Sequence, residues 1–232
     1  MTDERVLLIT GASTGIGAAT AKAAAAAGWK VALGARSEDK LRALADEIGD
    51  GALAARCDVT DWGDQQRFAA QALERFGRID AAFANAGFGA KRGFLEGDVD
   101  AWRSMVLTNV LGPALTIRAV LPHFLERDAG HFLITSSVAG RRALPGSLYS
   151  ATKHAATAMG EALRQELRQM HENFSVRVTL IEPGMTDTPF FDERPRTALE
   201  AEDIAAAVMF ALTQPARVDV NEVLVRPVTQ PG

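Results

Sequence analysis

Cysteine is almost missing from this chain: among 232 residues Cys57 stands alone. That excludes an intrachain disulfide and a thiolate metal cluster, and it fits a reducing, cytoplasmic compartment. Positive charge is not in surplus either. Lys and Arg number 25 against 29 Asp and Glu, a formal charge of −4, so little is available to displace counterions from nucleic-acid phosphates. The N-terminal apolar run, Val6-Leu7-Leu8-Ile9, is strand-sized and far below the ~20 residues of a membrane span, or the core of a signal peptide. Histidine is scarce. His123, His131, His154 and His171 show no i, i+4 or paired-acid spacing, so no metal is expected. Low-complexity linkers and internal repeats are absent, and one domain over 1–232 is expected.

What is present is a regular alternation of short apolar runs and longer amphipathic ones. Strands are expected at 5–10, 30–35, 51–58, 79–84, 130–136, 175–182 and 221–228, and most are continuously apolar, as suits strands covered on both faces. Helices are expected at 16–27, 38–48, 61–76, 99–126, 150–171 and 201–214. Asp61 and Asp98 sit at N-cap positions, and Gly28, Gly49 and Gly77 at C-terminal stops. Alternation of this kind implies parallel strands joined by right-handed crossovers: an α/β, Rossmann-type doubly wound sheet of about seven strands with helices on both faces. Such sheets bind ligands at the carboxyl ends of their strands.

Thr10-Gly11-Ala12-Ser13-Thr14-Gly15-Ile16-Gly17 joins the first strand to the first helix. Glycine admits a sharp turn and a close approach to pyrophosphate, and the helix N-terminus offers free N–H groups and a partial positive charge. The second strand ends in Ala35-Arg36, where an acid would favour NAD through the adenosine ribose hydroxyl. An arginine there suits a 2′-phosphate, because its planar fork grips phosphate. NADP(H) is expected, with NAD(H) as the alternative.

Tyr149 and Lys153, four residues apart, share one helical face. A neighbouring cation favours the phenolate, which is one way to make a general acid and base from tyrosine. Pro113 lies four residues after Asn109 within a helical stretch. Proline lacks the N–H and displaces the carbonyl four back, so a kink is expected at Asn109 that frees a backbone acceptor for water.

In order, the loop at 10–17, Asp58-Val59, Asn85-Ala86-Gly87, Asn109, Ser136, Tyr149 with Lys153, and Pro183-Gly184-Met185-Thr186-Asp187-Thr188 resemble the short-chain dehydrogenase/reductase family along essentially the whole chain. The resemblance implies an NAD(P)-dependent oxidoreductase acting on CH–OH groups, with catalytic residues Asn109, Ser136, Tyr149 and Lys153. Tyr149 is implied as general acid and base. Lys153 is implied to lower its pKa and hold the nicotinamide ribose, Ser136 to bind the substrate oxygen, and Asn109 to anchor a relay water. Cofactor contacts are implied for Gly11, Ser13, Thr14, Gly15, Ile16, Gly17 and Arg36. Asp58 and Val59 are implied to contact adenine, Asn85, Ala86 and Gly87 the adenosine side, and Pro183, Gly184, Thr186 and Thr188 the nicotinamide amide. Thr186 stands where relatives more often carry an aliphatic residue. Ser13 and Thr14 stand where many NADP-selective relatives carry a second basic residue.

Substrate choice is expected from loops 88–93, 138–148 and 189–197, the last a short lid. They carry Lys91, Arg92, Arg141, Arg142, Arg194 and Arg196 among Phe88, Leu144, Phe190 and Phe191. One of these cations is a candidate for a substrate carboxylate. A small hydroxy acid, aldehyde or ketone is the leading substrate class. Alternatives are a 3-oxoacyl-carrier-protein reductase and a non-catalytic NADP(H)-binding sensor. A homotetramer or homodimer is implied through the helices at 99–126 and 150–171, and neither a nucleic acid nor a membrane is expected as a partner.

Overall fold

The computed structural model describes residues 4–173, 175–190 and 197–230. The apolar runs pair as seven strands: β1 (Val6–Thr10), β2 (Lys30–Ala35), β3 (Ala52–Arg56), β4 (Ala81–Ala84), β5 (Gly130–Thr135), β6 (Val176–Pro183) and β7 (Glu222–Val225). Their spatial order is β3-β2-β1-β4-β5-β6-β7, and each pairing is parallel, as in Leu8 opposite Ala32 and Ala82 opposite Phe132. Chain order reverses direction between β1 and β4, which opens a crevice at their carboxyl ends.

The helices are α1 (Gly15–Ala26), α2 (Glu38–Ile48), α3 (Trp62–Phe76), α4 (Val99–Val106), α5 (Gly112–Arg127), α6 (Leu148–Gln169) and α7 (Ala201–Thr213). Side chains alternate across a strand, and here the alternation builds two cores. Leu8, Ala32, Ala82, Phe132 and Ile134 face α3, α5 and α6, meeting Phe68, Ile117, Phe124, Leu163 and Leu167. Leu7, Ile9, Leu33, Phe83 and Leu133 face α1, α2 and α7, meeting Ala21, Leu41, Ile204 and Val208.

Local signals set the ends. Asp61 accepts from Asp64 N, and Asp98 accepts from the N–H groups of Asp100 and Ala101. Gly28, Gly49 and Gly77 hold left-handed φ of 82°, 86° and 75° past their helices, which a side chain would disfavour. The stretch expected as one kinked helix at 99–126 is helix α4, a π-turn at Leu107–Leu111 and helix α5. Pro113 cannot donate, so the turn widens around Asn109 rather than breaking. The rod Val99–Arg127 is long and apolar enough to cross a membrane by composition alone. In this fold its Ile117, Val120 and Phe124 are buried against the sheet.

Arg141, one of the loop cations expected near substrate, is engaged elsewhere. Its Nε and Nη2 donate to the two oxygens of Glu182 at 2.8 Å each, and it also pairs with Glu222. Glu182 is fully buried in β6, whereas the Arg141 side chain is 41% exposed. A buried carboxylate without its cation is costly, and the exposed guanidinium side screens part of that cost. Arg141→Ala should therefore destabilise the chain by about 2–3 kcal/mol, below the ~3–5 kcal/mol of a fully buried pair. Adding Glu182→Gln should recover part of the loss. Urea unfolding of the single and double variants measures both.

Candidate active site

The glycine loop forms a cradle shaped by close contact. Gly11 and Gly15 hold φ of 67° and 55°. A Cβ on Gly11 would lie 2.8 Å from Ala86 Cα, and one on Gly17 would collide with the Gly11 carbonyl oxygen and lie 2.8 Å from Asn85 Nδ2. The helix it opens is left without local compensation. Thr14, its N-cap, makes no side-chain cap bond, and the first turn carries no acid. By contrast α6 is capped by Ser147 and α7 by a reciprocal Glu200–Asp203 box. Unsatisfied N–H groups and a bare positive helix end suit an anion such as a pyrophosphate.

From this cradle a cavity of about 870 Å³ runs along the strand ends, lined by Ser13, Thr14, Ile16, Arg36, Asp58, Val59, Tyr149, Lys153 and the residues after β6. The size and the donor set fit a nicotinamide dinucleotide. Asp58 is fixed by bonds from Thr60 N (3.0 Å) and Oγ1 (2.8 Å). Burial pushes its carboxyl up, but those two bonds and the nearby Arg36 and Arg56 hold it below the ordinary value. Arg36 thus stands near Asp58, exposed and lining the same cavity.

Two asparagines are engaged in construction. Asn85 was expected to contact the cofactor, but its amide is committed to protein partners: Nδ2 donates to Thr10 O (3.1 Å) and Gly11 O (3.3 Å), and Oδ1 accepts from Thr135 Oγ1 (3.2 Å). It holds the cradle and also borders the cavity. Asn109 accepts from Phe88 N (3.0 Å) and donates to Phe88 O (2.9 Å) and Thr152 Oγ1 (3.1 Å). Its Oδ1 also lies 3.1 Å from the point a Cβ on Gly87 would occupy.

Tyr149, the chain's single tyrosine, lies in the first turn of α6 with Lys153 one turn on. The Lys153 Nζ is 5.7 Å from the Tyr149 ring centroid and donates to Thr135 O at 2.8 Å. The expected lowering of the phenol pKa by Lys153 is not found. Burial pushes the Tyr149 phenol up to about 12, opposed by a hydrogen bond with Ser137, and burial alone pulls the Lys153 ammonium down to about 8. Desolvation favours the neutral form of each group.

Ser136 also requires correction. Its hydroxyl meets Lys153 O (3.1 Å) and Thr157 Oγ1 (2.7 Å), behind α6 rather than beside the phenol. Strand parity explains it: Ser136 continues the pairing of β5 with β6 through its N–H to Ile181 O and falls on the same face as Phe132 and Ile134. Its neighbour Ser137 falls on the other face. Ser137 bonds the Tyr149 phenol, accepts from Ala139 N (3.1 Å) and donates to Pro183 O (3.3 Å). The spacing of 13 that selected Ser136 ignores which way the last strand residues point.

After β6, Thr186 Oγ1 donates to Gly184 O (3.1 Å) and Thr186 pairs with Leu199, so its unusual hydroxyl staples the turn. Thr188 packs where a Cβ on Gly15 would come within 3.1 Å. Gln230, unforeseen because it is remote in sequence, accepts from Met185 N (2.8 Å) and lines the same cavity. Lys91 and Arg92 line the mouth with Phe88, Leu144 and Phe190; Lys91 reaches Glu96 at 3.4 Å. Arg142 does not line the cavity, and Phe191, Arg194 and Arg196 lie outside the described residues. No group of His, Cys, Asp or Glu suited to a metal occurs among the described residues.

Comparison with known proteins agrees with this geometry. The family described as short chain dehydrogenase matches residues 5–198. An uncharacterised oxidoreductase of Staphylococcus saprophyticus is 40% identical over 97% of this chain and 98% of its own length. An alcohol dehydrogenase of Thermococcus sibiricus, complexed with 5-hydroxy-NADP, superposes with a TM-score of 0.91 at 34% identity, covering 99% of each chain. Serine dehydrogenase of Escherichia coli superposes at 0.89 and 32%, covering 98% of this chain and all (100%) of that one. The glycine cradle, the α6 tyrosine–lysine pair and these matches converge: the chain belongs to the short-chain dehydrogenase/reductase family and is an NAD(P)-dependent oxidoreductase.

Proposed function

We propose that this enzyme interconverts a hydroxyl and a carbonyl on a small molecule with NADP(H), Tyr149 acting as general acid and base. The observation that carries the reading is the meeting of the Tyr149 phenol, the Ser137 hydroxyl and the Lys153 ammonium on one wall of the cavity that the cradle opens. A nicotinamide bound there supplies or accepts the hydride. In reduction Tyr149 passes its proton to the oxygen of the carbonyl, and in oxidation the phenolate takes the hydroxyl proton back. Ser137 donates to that oxygen as charge develops on it. With the cofactor bound, Gly11, Ser13, Thr14, Gly15, Ile16 and Gly17 would hold its pyrophosphate, Asp58 and Val59 would border its adenine, and the residues at 183–188 would hold its nicotinamide.

A small aldehyde, ketone or hydroxy acid fits the mouth, where Phe88, Leu144 and Phe190 stand beside Lys91 and Arg92. A carrier-protein-bound 3-oxoacyl group is the second reading, and an acyl thioester in the substrate panel separates the two. The enzyme works as a homodimer or homotetramer in this proposal, since Val99, Val106, Leu107 and Leu111 leave an apolar strip exposed along α4 and the π-turn.

Tyr149→Phe should lower turnover by about 10²–10⁴-fold while retaining NADPH binding; undiminished turnover sinks the proposed acid. The pH dependence follows from the signs above. Reduction needs the protonated phenol, and with the phenol pushed up to about 12 its rate should hold from neutrality through about pH 8 to 10; oxidation, which needs the phenolate, should gain as pH rises toward 12. Steady-state profiles in both directions read this.

The two serines are separable. Ser137→Ala should cost about 10²–10³-fold in kcat. Ser136→Ala should leave kcat nearly intact and cost about 1 kcal/mol of stability. The reverse pattern restores Ser136 to the substrate oxygen.

Arg36→Ala should weaken NADPH by about 10–100-fold, the range of a charge-assisted hydrogen bond, and leave NADH little changed. Parallel fluorescence titrations decide it, and equal losses for both cofactors would remove the case for NADP(H).

A further inference from the structure

Resting on the reading of the site as a carbonyl–hydroxyl oxidoreductase, we infer that Phe190 is its size-determining residue, a wall beside the reacting carbon that is seated on the bare backbone of Gly89. The Phe190 ring stands edge-on to Tyr149, with centroids 5.3 Å apart and planes at 62°. Its far tip rests where Gly89 has no side chain: a Cβ there would lie 2.7 Å from Phe190 Cζ. The ring thus reaches from the segment after β6 to the segment after β4, next to the phenol that must touch the substrate oxygen.

Both supports of this wall are fixed. On one side Asn109 grips both backbone polar groups of Phe88, which holds Gly89 in register. On the other, Thr188 packs against the Gly15 position and its Oγ1 accepts from Phe190 N at 3.4 Å. Leu144, which lines the same cavity, is on a loop tied to the 88–97 segment by a bond from Gly93 N to Gly146 O of 2.9 Å. A substrate carbon within reach of Tyr149 therefore has room for only a small substituent on the Phe190 side. An aromatic side chain is shed from this wall at little cost to the core, because Phe190 is 39% exposed.

The test compares wild type, Phe190→Leu and Phe190→Ala on propanone, 2-butanone, 2-octanone and acetophenone with NADPH. In parallel, the corresponding alcohols are titrated calorimetrically into each protein saturated with NADP+. The ratio of kcat/KM for acetophenone to that for propanone should rise by about 10–200-fold in Phe190→Ala, the range over which apolar pockets discriminate size. Phe190→Leu should fall between, and NADPH affinity should stay unchanged. The same shift should appear in the alcohol affinities. An unchanged size profile, or no alcohol bound by any of the three proteins, overturns the inference. If wild type binds the alcohols with a size limit that Phe190→Ala relaxes, yet turns over none of the ketones, the wall stands and the proposed reaction falls.

Discussion

The side-chain amide of Asn85 ties together the ends of three strands where the cradle begins. At the crevice β1 and β4 part, and each strand end presents backbone groups with no ladder partner. Asn85 lies just beyond β4 and closes the gap, donating to the carbonyls of Thr10 and Gly11 and accepting from Thr135 at the end of β5. Thr10 returns the contact, its Oγ1 accepting from Asn85 N at 3.1 Å. The turn at Gly11 brings Gly17 up against the same amide. The absence of side chains at Gly11 and Gly17 and the presence of an amide at Asn85 are one constraint. A ligand can approach the α1 N-terminus because the space a Cβ would fill is taken by backbone, and that backbone is pinned.

A second clamp acts on the substrate side with the same chemistry. The Pro113-induced π-turn presents Asn109 so that its amide spans both polar groups of Phe88 and reaches Thr152 on α6. Thr152 Oγ1 in turn donates to Tyr149 O at 2.8 Å. Asn109 is 1% exposed, and a buried amide stabilises only when its donors and acceptor are used. Here they are used on the two segments that border the reacting atoms, so the helix defect and the position of Tyr149 are mechanically linked.

The fold was legible because continuous apolar runs, caps and glycine stops all point the same way, down to the left-handed C-terminal glycines. The glycine cradle was equally legible, since its spacing between strand and helix has few other uses. What sequence concealed was direction and competition. Ser136 and Ser137 are chemically identical, and only strand parity, which follows from where β5 ends, tells which one reaches Tyr149. Arg141 read as a free loop cation because Glu182, its partner, is hidden in a strand read as apolar. Asn85 and Gln230 bind neighbours that lie far off in the chain, which no local pattern encodes. The segment holding Phe191, Arg194 and Arg196 lies outside the described residues, so expectations there stay with the sequence.

Another gap between expectation and structure concerns Tyr149, where Lys153 is not among the influences on the phenol. A cation one helical turn away was expected to draw out the phenol proton, an effect that requires its charge to be aimed at the phenol oxygen. Here burial acts on both, and it favours uncharged forms: the phenol moves up to about 12 and the ammonium down to about 8. Lys153 is further engaged by Thr135 O, which ties its charge to the backbone rather than to the phenol oxygen. The pair is therefore poised with the proton on tyrosine at neutral pH. For the proposed chemistry that poise suits giving a proton to a carbonyl oxygen more than taking one from an alcohol.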